Sequence, residues 1–211
     1  MARKKRTWYP GATYHIMSRG NRRAAIYKDN GDYLFFLELI HGLQAKHPFK
    51  IHSICMMTNH FHMVMETMDV EVWKIMQKLL SVYAEEFNHR YSLTGHLFEG
   101  RYTSCIIEDD RYLLEVSRYI HLNPVKAMMV REPLAYEYSS YAFFVSDQHN
   151  ESNGKIGAAI ADLVDTSRIL SCFRHNSREQ YRMFVEGKIS HAEHELLIQK
   201  DMKEDEKWLP W

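Results

Sequence analysis

The chain has 211 residues, with 27 Lys+Arg and 27 Asp+Glu, so its formal net charge is zero. At 45% hydrophobic and 26% charged it is composed to fold around a core rather than stay disordered. Three scattered cysteines, Cys55, Cys105 and Cys172, exclude a disulfide framework and a CxxC zinc pattern.

Taken in chain order, the elements begin after a basic arm. Tyr14–Met17 follows Pro10-Gly11 and precedes Gly20, which predicts a first strand. Asp29-Asn30-Gly31-Asp32 offers a turn and an N-cap. Phe36, Leu37, Ile40 and Leu43 recur at helical spacing, so residues 33–46 read as a helix that Pro48 ends. Residues 50–57 are short and apolar, which suits a buried strand. Thr58-Asn59 turns the chain into HFHMVME, where His60, His62, Val64 and Glu66 face one way and Phe61, Met63 and Met65 the other. A helix over 71–91 carries Met76, Leu79, Leu80, Tyr83 and Phe87. A loop (GHLFEGR) and a strand over 102–107 follow. Asp109 or Asp110 then caps a helix with Leu113, Val116 and Ile120 on one stripe, which Asn123-Pro124 is expected to stop. A short helix from Pro124 is a further expectation.

This β-α-β-β-α-β order predicts an α+β fold, a ferredoxin-like antiparallel sheet with packed helices. Residues 146–155 read as a polar linker and 156–211 as a small helical C-terminal extension, leaving 1–145 as the main domain. The N-terminus lacks the apolar stretch of a signal peptide, and no run is long enough to span a bilayer. A cytoplasmic location is the expectation.

The neutral charge total conceals a split. Residues 1–28 hold Arg3, Lys4, Lys5, Arg6, Arg19, Arg22, Arg23 and Lys28 and no acid, so that segment is +8 and the remainder −8. Such a segment suits an anionic partner. RKKR by itself reads better as a solvated tail.

Three groups of residues carry candidate chemistry. His60 and His62, at i and i+2 on a strand, share a face and can reach one ion. A lone His-x-His is common by chance, but Phe61 and Met63 supply the core face and leave both rings on the other. Tyr119 and Asn123, at i and i+4 on a helix, are neighbours beside the apolar stripe. Read alone they are a packing tyrosine and a helix-end asparagine. The arginines and lysines of the arm, with Arg101, neutralise phosphates, and Trp8, Tyr9 and Tyr14 either stack on bases or pack in the core.

Together these strings resemble a known family. MMTNHFHMV is similar to the His-hydrophobic-His box of single-tyrosine HUH transposases, and RYIHLNPVKA (118–127) to their catalytic-tyrosine helix. PGATYHIMSRGNRR, GHLFEGRY and SSYAFF resemble the REP-associated tyrosine transposases and related insertion-sequence transposases, from about Pro10 to Phe144. LVDTSRILSCF and EQYRMFVEG extend a weaker likeness into the tail.

The resemblance implies an HUH endonuclease-type fold, with Tyr119 as nucleophile and His60, His62 and Asn123 as ligands of a divalent metal, Mg²⁺ or Mn²⁺. It implies a transposase that cuts and rejoins single-stranded, hairpin-bearing DNA through a 5′-phosphotyrosine, leaving a free 3′-hydroxyl. DNA binding would fall to Arg3, Lys4, Lys5, Arg6, Arg19, Arg22, Arg23 and Arg101. Monomer and homodimer both remain open. A domesticated DNA or RNA hairpin-binding regulator without strand transfer is the alternative, and a hydrolase using water, with Tyr119 structural, is a third reading. Glu66, His121 and Lys126 are near the site in sequence, and none is singled out as the base.

Overall fold

The computed structural model describes residues 7–146 and 154–187. Four strands form one antiparallel sheet: β1 (Thr13–Arg19), β2 (Phe49–Met57), β3 (His60–Thr67) and β4 (Thr103–Ile107), in the order β2-β3-β1-β4. Helix α1 (Asn30–Lys46) joins β1 to β2, and α2 (Val72–Tyr91) joins β3 to β4. Helix α3 (Asp110–Lys126) follows β4. This is the expected α+β, ferredoxin-like arrangement.

The alternation in the strands decides which helix meets which face. Tyr14, Ile16, Phe61, Met63 and Met65 are buried against α1 and α2 residues such as Phe36, Ile40, Met76 and Tyr83. Cys55, Met57 and Val64 lie on the other face, against Leu113, Val116 and Ile120 of α3. Burial on both faces explains why β2 is apolar almost throughout. A bulge between Ile51 and Ser53 adjusts the register, so Ile51 and Ile54 both join the α1/α2 side.

The helix ends follow local chemistry. Asp29 caps α1 by accepting from Gly31 N and Asp32 N, so α1 starts three residues before the expected Tyr33. The Asp32 carboxylate accepts from Lys28 N and from Arg90, which ties the end of α2 to the start of α1. Asp109, rather than Asp110, caps α3 through Tyr112 N at 2.7 Å.

One expectation is corrected here. Helix α3 does not stop at Asn123, and no separate helix starts at Pro124; the helix runs on to Lys126 with Pro124 inside its last turn. Proline removes a single N–H, the one that would meet the Ile120 carbonyl, so its cost is smallest this close to a terminus. Ala127 N still donates to Asn123 O. Asn123 therefore stays helical, one turn from Tyr119.

Four further helices complete the described chain: α4 (Ala142–Val145), α5 (Gly154–Leu163), α6 (Ser167–Leu170) and α7 (Ser177–Glu186). Helix α5 begins inside the stretch read as a linker. Its Ile156, Ile160 and Leu163 join the α1/α2 core. Ile169, Leu170, Tyr181 and Val185 join the α3 core. These helices thus extend both existing cores. Residues 138–140 line the outer edge of β2 through Met56 N to Tyr138 O and Ser140 N to Ile54 O, which covers an edge that would otherwise invite pairing. Among the described residues, no helix is long and apolar enough to cross a membrane.

Candidate nucleic-acid cleavage site

His60 opens β3, where it pairs across from Arg19, and His62 pairs across from Met17. Both rings face α3. Asn123 Oδ1 lies 3.4 Å from His60 Nε2. The Tyr119 ring stands edge-on to His62, with centroids 5.3 Å apart. The two histidine rings are perpendicular at 5.1 Å. The four residues that the resemblance singles out are therefore in one place, although 63 positions separate His60 from Asn123.

The electrostatics favour neutral rings. Burial holds the His62 imidazolium well below its ordinary range, with His15 and His60 adding to the effect. Burial also lowers His60, against a raising contact from Asn123. Burial raises the Tyr119 phenol above its ordinary value, and Asn123 partly offsets this. The phenol therefore holds its proton at neutral pH and needs help to lose it. Lys126 Nζ lies 5.0 Å over the Tyr119 ring. The other two groups near it in sequence are elsewhere: Glu66 bonds His52 and Arg168, and His121 is buried against Tyr181 and Ser140.

One atom points to a missing partner. His62 Nε2 is buried and, among the described residues, has no hydrogen-bond partner. Two imidazoles and one amide oxygen suit a divalent ion and leave positions open for substrate oxygens. Among the described residues, no group of three or more His, Cys, Asp or Glu side chains is placed to hold a metal ion, so the set rests on two histidines with the Asn123 amide.

A histidine not singled out in the sequence joins the site. His15 on β1 places Nε2 3.1 Å from His62 Nδ1, with the rings stacked at 5.3 Å. Its ring is 6.0 Å from that of Tyr119. The signal was present: Tyr14 and Ile16 take the core face, so His15 must take the other. Burial lowers its pKa to about 4.

The basic residues divide. Arg22 and Arg23 are exposed on the loop after β1, with φ of 54° and 59°, a conformation unusual for residues with a Cβ. That loop is bonded to the turn before His60: Gly20 N donates to Asn59 O, and Asn59 Nδ2 donates to Arg23 O. A Cβ on Gly20 would meet Ala24 O at 2.1 Å, so the loop's path needs glycine there. Arg19 is held by Glu99 in a two-pronged ion pair at 2.9 and 3.1 Å. Arg101 is exposed. Arg3, Lys4, Lys5 and Arg6 lie outside the described residues.

The aromatics of the arm do not gather at this site. Tyr14 is 2% exposed and its hydroxyl donates to Thr7 O, so it packs in the core and is not free to stack on a base. Trp8 Nε1 donates to Thr67 Oγ1 at the far end of β3. Thr67 is seven residue steps along the strand from His60, about 23 Å. Tyr9 is exposed but beside that same far end.

Comparison with known proteins bears on the family and the fold. The family model described as "Transposase IS200 like" matches residues 9–123. The solved REP-associated tyrosine transposase bound to a REP hairpin is similar in fold, with a TM-score of 0.59 and 19% identity over 74% of this chain and 90% of that one. A crystal structure assigned as a transposase from Deinococcus radiodurans R1 aligns at a TM-score of 0.39 and 14% identity over 56% of this chain and 95% of that one. No curated protein matches.

Proposed function

Because the chain belongs to the IS200-like transposase family, we propose that it cuts and rejoins single-stranded DNA with Tyr119 as nucleophile. His60, His62 and Asn123 would hold a divalent cation, Mg²⁺ or Mn²⁺. The observation that carries the reading is the orphaned Nε2 of His62, buried beside the Tyr119 ring. A buried polar atom without a partner is costly unless a ligand supplies one.

The chain's own residues would act in order. Arg22, Arg23 and Arg101 draw the phosphate backbone towards the sheet end that carries His60. The Tyr119 oxygen attacks the scissile phosphorus, and the bond to the 3′ oxygen of the departing strand breaks. Phosphorus stays on tyrosine as a 5′-phosphotyrosine; the phenol gives up its proton to solvent, and the departing oxygen takes one up to become a 3′-hydroxyl, so the proton count is unchanged. His60, His62 and Asn123 would hold the divalent ion, which would supply Lewis acidity to a phosphate oxygen. The phosphodiester energy is retained in the link to tyrosine, so a second 3′-hydroxyl can be joined without ATP. A hairpin in the substrate is taken from the solved relative, which is bound to one.

The test is a labelled single strand carrying a hairpin, incubated with protein and Mn²⁺ and run on a denaturing gel. The wild type is expected to give a protein–DNA adduct that Tyr119→Phe does not give, while hairpin binding persists. An adduct of equal yield from Tyr119→Phe would overturn the assignment. Cleavage without adduct would favour water as nucleophile, and tight binding without cleavage would favour a regulatory hairpin-binding protein.

A further inference from the structure

We infer that His15 is the positioning residue that sets the tautomer of His62, and so leaves His62 Nε2 as a lone pair directed at the cation. This rests on the metal reading proposed above and goes beyond its ligand set.

The argument is one of protons. A single proton lies between His15 Nε2 and His62 Nδ1, which are 3.1 Å apart. If His15 donates it, neutral His62 must carry its own proton on Nε2. That N–H would then be buried with nothing among the described residues to accept it. Orphaned buried N–H groups are rarer than under-used acceptors. If His62 Nδ1–H donates to His15, the buried Nε2 is a bare lone pair. Only this second arrangement can ligate a metal.

His60 shows the same design with a different partner. His60 Nδ1 lies 2.6 Å from Asn59 Oδ1. Asn59 Nδ2 donates to Arg23 O, which fixes the amide so that its oxygen faces His60. An amide oxygen only accepts, so the proton is on His60 Nδ1 and Nε2 is bare. That nitrogen faces Asn123 Oδ1 at 3.4 Å. Both rings thus turn the same edge to the site, one held by the β2–β3 turn and one by β1. The partner of a metal-bound histidine's second nitrogen is commonly a carboxylate or a backbone carbonyl. Here a neighbouring strand supplies an imidazole for His62 instead.

Three proteins decide it: wild type, His15→Phe, which keeps a ring but accepts nothing, and His15→Gln, whose amide oxygen can accept. Long-range proton–nitrogen correlation spectra of metal-free protein read the His62 tautomer directly. The wild type should show the Nδ1–H form. His15→Phe should lose that bias, and His15→Gln should keep it. Calorimetric titration with Mn²⁺ should show affinity falling roughly 10- to 100-fold in His15→Phe, with recovery in His15→Gln. An Nε2–H form in the wild type overturns the inference without any variant. So does a His15→Phe protein with unchanged tautomer and Mn²⁺ affinity, or a folded His15→Gln protein as impaired as His15→Phe. His62→Ala is the control for the parent reading. If it binds Mn²⁺ as well as wild type does, the metal reading falls, while the tautomer spectra still decide the role of His15.

Discussion

The Tyr181 hydroxyl lies 2.6 Å from His121 Nδ1, which bonds the last described helix to the helix that carries Tyr119. The same hydroxyl lies 2.6 Å from Ser117 Oγ, one turn earlier on α3. His121 Nε2 reaches Ser140 Oγ at 2.9 Å, and Ser140 Oγ accepts from Ile54 N of β2. One buried chain of hydrogen bonds therefore runs from α7 through α3 to the sheet. Tyr181→Phe keeps the ring and strands two buried polar groups, so it is expected to cost about 1–3 kcal/mol. Urea unfolding measures this, and a loss within about 0.5 kcal/mol would refute the coupling.

His121 also makes stability depend on pH. Burial lowers its pKa to about 3 from an ordinary 6.5. Between those values the unfolded chain binds a proton that the folded chain refuses. Stability is therefore complete above about pH 6.5 and falls as the pH drops towards 3. At pH 5 this one group accounts for about 2 kcal/mol of loss relative to pH 7. His121→Gln should show a fall between pH 7 and pH 5 that is shallower by that amount. Parallel pH profiles for the two proteins would remove His121 as a contributor.

Arg19 is committed to Glu99 and does not present a free cation. Glu99→Gln releases it next to His60 and removes a nearby negative charge. Single-stranded DNA should bind more tightly, and the slope of log K against log salt should steepen by about 0.7, the value for one added phosphate contact. Folding stability should change by less than about 1 kcal/mol, since the pair is partly exposed. Filter binding across a salt series reads the slope. An unchanged slope would mean that Arg19 faces no phosphate even when free.

Asn123→Ala removes the amide oxygen next to His60 while preserving the helix, since alanine has the highest helix propensity. Mn²⁺ affinity should fall at least tenfold, and adduct formation should fall with it. Hairpin binding in chelator should equal that of the wild type. Equal Mn²⁺ affinity in the two proteins would exclude Asn123 as a ligand.

Much of this was legible from residue order. The alternation in HFHMVME put both histidines on one face, and four-residue spacing put Tyr119 beside Asn123. The caps at Asp29 and Asp109 were readable because capping is local chemistry. Pro124 was misleading, because its effect depends on how much helix follows it.

What order alone determined is therefore local: strand faces, helix stripes, caps, and the residue types able to do metal-assisted phosphoryl chemistry. The tertiary structure decided everything that depends on strand pairing and on the packing of α3. Antiparallel pairing of β1 with β3 brought His15 to His62, and docking of α3 brought Asn123 to His60. The arm's charge resolved in the same way. Arg22 and Arg23 are exposed, Arg19 is paired to Glu99, and Tyr14 is buried. These contacts join residues far apart in the chain, and no periodicity within one segment encodes which distant side chain will fill the space opposite.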